Sequence, residues 1–225
     1  MAKHSQPAGM VFLFDVDNTL LDNDRVIADL RTFVRRELGR KQELKYWSIF
    51  EQLRSELGYA DYLGALQRYR QERPREPNVL VLSQFMIDYP FANRLFPGSL
   101  DALEHANHLG RVAILSDGDV VFQPRKVLRS GLGEAVRGRV LIYVHKEEQL
   151  ADVAARFPAR HYVLIDDKLR ILSAVKKRWR TQVTTVFVRQ GHYALEPGIE
   201  KRYPAPDRIL ERIGDFVQFA ARSLG

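Results

Sequence analysis

Five short apolar runs stand out in the chain, and four of them stop at chemically similar places. Residues 10–14 end at Asp15, residues 112–115 at Ser116 and Asp117, residues 140–144 at His145 and Lys146, and residues 162–165 at Asp166 and Asp167; the fifth run is 183–188. Runs of this length, rich in Val, Ile, Leu, Phe and Tyr, read as strands buried on both faces. Between the later runs the pattern predicts helices over 99–109, from 124, over 147–157 and over 169–179, with Ser99 as an N-cap and Gly110 just past a helix end. A closing helix is expected over 209–224. Alternating strands and helices imply parallel pairing through right-handed crossovers, so the fold class is α/β with a Rossmann-like parallel sheet. In such a sheet the four polar ends line one carboxyl edge, which is where open α/β folds hold their ligands.

The stretch between the first run and residue 97 has a different character. Val26, Ile27, Leu30, Phe33, Val34 and Leu38 recur at helical spacing before Gly39, and Leu44, Trp47, Phe50, Leu53 and Leu57 do so before Gly58. Tyr62, Leu63, Leu66 and Tyr69 mark a third helix, and residues 79–86 a fourth. No strand pattern interrupts them. The expected organisation is therefore an α/β core of residues 1–21 and 97–225, with an all-helical insertion over 22–96.

Composition narrows the function. The chain has no cysteine, which excludes disulfides, thiolate metal sites and a cysteine nucleophile. No apolar run reaches bilayer length and the first nine residues lack the apolar core of a signal peptide, so a cytoplasmic protein with no membrane partner is expected. The formal charge is +7, yet the basic residues are scattered, with Lys176, Lys177, Arg178 and Arg180 a short cluster. A nucleic-acid binder concentrates them, so none is expected as a partner. The balance suits attraction of a small anionic substrate.

Asp15 and Asp17 place two carboxylates at i and i+2 where the first strand ends, an arrangement that costs free energy unless cations or protons compensate it. Asp15-x-Asp17-x-Thr19, Ser116 after a second strand, Lys146 after a third and the pair Asp166-Asp167 after a fourth follow a familiar order. On these motifs the chain resembles the haloacid dehalogenase superfamily of phosphohydrolases, and the insertion resembles the helical cap of its cap-bearing branch. The resemblance implies a magnesium-dependent hydrolase of a small phosphorylated metabolite. In that reading Asp15 is the nucleophile that forms an aspartyl-phosphate, and Asp17 protonates the leaving alcohol and then activates water. Asp15, the Asp17 backbone carbonyl and Asp166 hold Mg2+, Ser116 and Lys146 bind or balance the phosphoryl oxygens, and Thr19, Asp117 and Arg25 contribute to substrate binding. Asp167 supports the site by orienting a water on the metal or by bonding Lys146.

The second aspartate, Asp17, is lacking in the dehalogenating members and so favours phosphoryl transfer. Asp117 departs from the Asn that many relatives carry after the serine. Lys126 reads as a solvated helix residue, and Lys168 as either a helix-start surface residue or a site residue. A sugar phosphomutase would share the same residues, and a non-catalytic binding protein could share the fold; substrate and oligomeric state stay open.

Overall fold

The computed structural model of the protein describes residues 8–220. At its centre is β1 (Ala8–Phe14), which alternates its side chains between two apolar faces. Phe12 and Phe14 join one buried cluster, and Val11 and Leu13 the other. The chain then forms four helices, α1 (Asn23–Leu38), α2 (Arg40–Leu57), α3 (Tyr62–Glu72) and α4 (Val79–Asp88), before α5 (Ser99–Leu109) and β2 (Arg111–Asp117). Next come α6 (Phe122–Arg129), α7 (Leu132–Ala135), β3 (Val140–Tyr143), α8 (Leu150–Arg156), β4 (Ala159–Asp166) and α9 (Leu169–Trp179). β5 (Val183–Val188), the four-residue α10 (Gly191–Ala194) and α11 (Ile199–Arg202), and β6 (Arg208–Leu210) follow, before a final 3-10 turn.

All six strands pair in parallel in the order β3-β2-β1-β4-β5-β6. Connections leave β1 toward β2 on one side and reach β4 on the other, so the topological switch point falls at the carboxyl end of β1. Phe14 is in register with Ile114 of β2 and Ile165 of β4. The Asp15 N–H continues the ladder by donating to the Ile165 carbonyl at 2.9 Å. This register sets Asp15 beside Asp166, with Ser116 one residue beyond the matching position of β2.

The helical block α1–α4 leaves and rejoins the sheet at neighbouring points. Leu21 bridges Leu95, and the Phe96 N–H donates to the Leu20 carbonyl at 3.0 Å. Its own core is aromatic: Trp47 packs edge-on to Phe50 at 5.3 Å, and Phe50 stacks on Tyr62 at 4.7 Å. Tyr62 in turn meets Phe122 of α6 at 5.1 Å, Arg54 donates to the Tyr193 hydroxyl at 2.8 Å, and Arg125 pairs with Asp88 at 3.1 Å. The block is thus docked on the edge that carries the polar strand ends. Among the described residues no helix is long and apolar enough to cross a membrane.

Two expectations change. Ser99 is the first residue of α5, not its cap; Gly98 occupies the cap with φ +81°, and the Ser99 hydroxyl donates to the Leu20 carbonyl at 2.7 Å. The closing helix is absent over 208–218. Residues 208–210 form β6 against β5, and 213–218 form a 3-10 turn. Ile209, Ile213 and Phe216 recur at near-helical intervals, but Phe216 is drawn down onto Phe12 and Phe14, at 6.0 and 5.3 Å. Gly98 permits this approach: a Cβ added there would lie 2.6 Å from the Gly214 Cα. The remainder of that expected helix, residues 221–224, lies outside the described residues, as do residues 1–7 of the expected core.

Candidate active site

Three buried carboxylates converge beyond the β1 and β4 ends. Ligand atoms of Asp15, Asp166 and Asp167 lie within 4.8 Å of one another. One buried ammonium meets them: Lys146 Nζ is 2.5 Å from Asp15 Oδ1 and 2.6 Å from Asp166 Oδ2. It also donates to the Leu115 carbonyl at 3.2 Å. The Asp166 contact is a close ion pair without good hydrogen-bond alignment, since Asp166 Oδ2 has no hydrogen bond among the described residues. Asp166 Oδ1 accepts from the Lys168 N–H at 2.8 Å. Both oxygens of Asp167 are buried with no hydrogen-bond partner among the described residues.

The electrostatics follow from this count. Burial pushes the Asp166 carboxyl up to about 6, against the pull of Lys146. Burial also holds Asp167 well above the usual carboxylate range, opposed by Lys168. Lys146 loses by burial, but Asp15 and Asp166 outweigh that loss and raise its pKa. Three carboxylates face one directly paired ammonium, with Lys168 the next cation, and the orphaned oxygens of Asp167 are donors suited to a divalent cation. An all-oxygen donor set of this kind fits Mg2+ better than a softer metal.

The remaining residues predicted from sequence gather around this cluster, with one exception. Thr19 Oγ1 donates to Asp15 Oδ2 at 3.3 Å. Ser116 Oγ accepts from Gln123 Nε2 at 2.9 Å. Asp117 Oδ1 accepts from the Lys146 N–H at 2.7 Å, fixing the turn that delivers the lysine, and burial raises the Asp117 pKa. The Asp17 side chain turns away from the other three acids: its Oδ1 lies 2.6 Å from Lys126 Nζ. The acidic side chains that meet are therefore Asp15, Asp166 and Asp167. Arg25 stands apart, on the exposed side of α1 and 3.7 Å from Asp29.

Lys126 departs most from the sequence reading. It is fully buried, not solvated, and bonds Asn23 Oδ1 at 2.9 Å as well as Asp17. Gln123 was likewise missed. The available signal was the pattern of α6, whose buried face runs Phe122, Gln123, Lys126, Val127: polar residues on an apolar stripe need buried partners. Lys168 lies in the site, its ammonium 5.1 Å from the centre of the Tyr193 ring. A cleft of about 370 Å3 opens here, lined by Asp17, Asp117, Gln123 and Lys168 from the core and by Arg54, Tyr59 and Tyr62 from the helical block.

The sequence pattern of the haloacid dehalogenase-like hydrolases matches residues 10–177. The chain belongs to this family of hydrolases. A protein from Burkholderia xenovorans LB400, provisionally named a haloacid dehalogenase-like hydrolase, is 60% identical over 95% of this chain and 100% of its own, with a TM-score of 0.90. Two more distant structures share the fold. The magnesium-bound hydrolase YfnB from Bacillus subtilis is 16% identical over 93% of this chain and 97% of its own, with a TM-score of 0.61. An L-2-haloacid dehalogenase is 16% identical over 93% and 98%, with a TM-score of 0.63. No curated protein matches the chain.

Proposed function

We propose that the protein is a magnesium-dependent phosphomonoester hydrolase acting on a small phosphorylated metabolite in the cytoplasm. The observation that carries this reading is Asp167, a fully buried carboxylate beside Asp15 and Asp166 whose two oxygens have no hydrogen-bond partner among the described residues. Displacing halide at carbon calls for no cation, whereas joining a carboxylate to a dianionic phosphate does. Asp15, Asp166 and Asp167 would hold Mg2+, with the Asp17 carbonyl as a fourth donor. Bound there, the ion offsets the repulsion between nucleophile and phosphate and polarises the phosphoryl oxygens.

The chain's own groups supply the rest. The Asp15 carboxylate attacks phosphorus, the ester P–O bond breaks, and the departing alkoxide takes a proton from the Asp17 carboxyl. Water then attacks phosphorus of the Asp15 acyl phosphate, yields its proton to Asp17, and the bond from phosphorus to the Asp15 oxygen breaks. Lys146 keeps Asp15 placed and balances its charge, while Ser116 offers a hydroxyl to the phosphoryl oxygens. A cleft of about 370 Å3 suits a small substrate, with the helical block as its cap and residues 22–96 as the cap's extent.

A screen of phosphomonoesters and 2-haloacids with magnesium tests this reading. Release of inorganic phosphate is expected. Halide release without phosphate release identifies a dehalogenase, and phosphate retained on an isomer identifies a mutase.

A further inference from the structure

We propose that Lys126 is a positioning residue for Asp17 and that, through Asn23, it ties this acid to the first helix of the helical block. The inference rests on the phosphatase reading, in which Asp17 is the proton donor.

Four parts of the fold meet at this lysine. Lys126 projects from the buried face of α6 with its side chain 1% exposed, and its ammonium lies 5.4 Å from the centre of the Phe122 ring. Its acceptors are Asp17 Oδ1, at 2.6 Å in the loop after β1, and Asn23 Oδ1, at 2.9 Å in the first residue of α1. The Asn23 side chain also lies beside the hydroxyl of Tyr62 in α3, whose pKa it lowers against the larger effect of burial. Among the described residues Asp17 is the single carboxylate in ion-pair range of Lys126. A lysine buried to this extent is tolerated only with such a partner.

The consequence for Asp17 is geometric. Gln123 Nε2, at 3.4 Å, and Lys126 both engage Oδ1, while Oδ2 accepts no hydrogen bond among the described residues. One oxygen is anchored and the other is left for the leaving-group oxygen or the attacking water. Asp17 lines the cleft and Lys126 does not, so Lys126 acts on the substrate only through Asp17. A general acid must sit within hydrogen-bond reach of the atom it protonates, and a misplacement of about 1 Å costs on the order of 100-fold in rate.

Two esters separate this role from a structural one. Phenyl phosphate needs protonation of its leaving oxygen, whereas 2,4-dinitrophenyl phosphate expels a stable anion. With magnesium present, Lys126→Met should lower kcat/KM for phenyl phosphate at least about tenfold more than for the dinitrophenyl ester. Inhibition by inorganic phosphate should stay within about threefold of wild type. Asn23→Ala keeps the charge pair intact and should show a smaller loss with the same bias, which serves if the lysine variant folds poorly. Equal losses on both esters, or no loss on phenyl phosphate, would overturn the assignment of Lys126. A wild-type protein that hydrolyses neither ester instead overturns the phosphatase reading, and the inference with it.

Discussion

The ammonium of Lys146 stands 2.5 Å from Asp15 Oδ1, although the two residues are 131 positions apart. The contact joins the end of the central strand to the turn after an outer one, and both side chains are buried. Lys146→Met should therefore act on chemistry and on folding together. Turnover is expected to fall about 100- to 1,000-fold, the usual loss for a group aimed at developing charge. The metal-free protein should lose about 3–5 kcal/mol in urea unfolding, the cost of leaving a buried charge unpaired, and added magnesium should return part of it.

The acid cluster predicts a pH dependence of known sign. Asp166 is raised to about 6, and Asp167 is raised as well, both by burial. Between the ordinary carboxylate pKa and these folded values the folded state binds more protons than the unfolded one. These groups therefore favour folding at low pH, and that contribution is lost as pH rises through about 6 and above. Thermal unfolding in chelator should show a midpoint that falls from pH 5 to pH 8, and magnesium should raise the midpoint more at pH 8 than at pH 5. Asp167→Asn should stabilise the chelated protein at pH 8 by about 1–3 kcal/mol, the penalty of an unsatisfied buried group, and should blunt the magnesium response. A midpoint insensitive to both pH and magnesium would contradict the site.

Specificity should reside in the helical block. Arg54 and Tyr59 line the cleft opposite the motif residues, and Arg54 also bonds Tyr193 at 2.8 Å. Arg54→Ala and Tyr59→Ala are expected to reorder a panel of phosphomonoesters by about tenfold in kcat/KM while sparing slow hydrolysis of a generic aryl phosphate. Unchanged relative rates across the panel would assign the block a scaffolding role.

Much of this was legible in the sequence because buried parallel strands leave a plain record. The bounds of β5 and α9 are those the pattern predicts, and the strand-end residues Asp15, Ser116, Lys146 and Asp166 follow from it. What failed has specific causes. Lys126 reads as solvated from sequence because lysine is rarely buried and its partner Asp17 lies 109 positions away, a distance local pattern cannot span. Residues 209–216 looked helical because apolar spacing of three and four also serves an edge strand followed by a tight turn. That choice is made by tertiary contacts with β5, Phe12 and Phe14. Arg25 follows the first motif in sequence, but the path of α1 carries it to the surface, where it pairs with Asp29.

The covalent role of Asp15 is the centre of the account, and trapping it is the most direct test. The protein is mixed with a hydrolysable phosphomonoester and magnesium, quenched within one turnover, reduced with borohydride and digested for mass spectrometry. An acyl phosphate on Asp15 is reduced to homoserine at that position, so the account predicts homoserine at residue 15, absent without magnesium and absent in Asp15→Asn, which should fold normally and release no phosphate. Full turnover with residue 15 unmodified, or substantial phosphate release by Asp15→Asn, would contradict it.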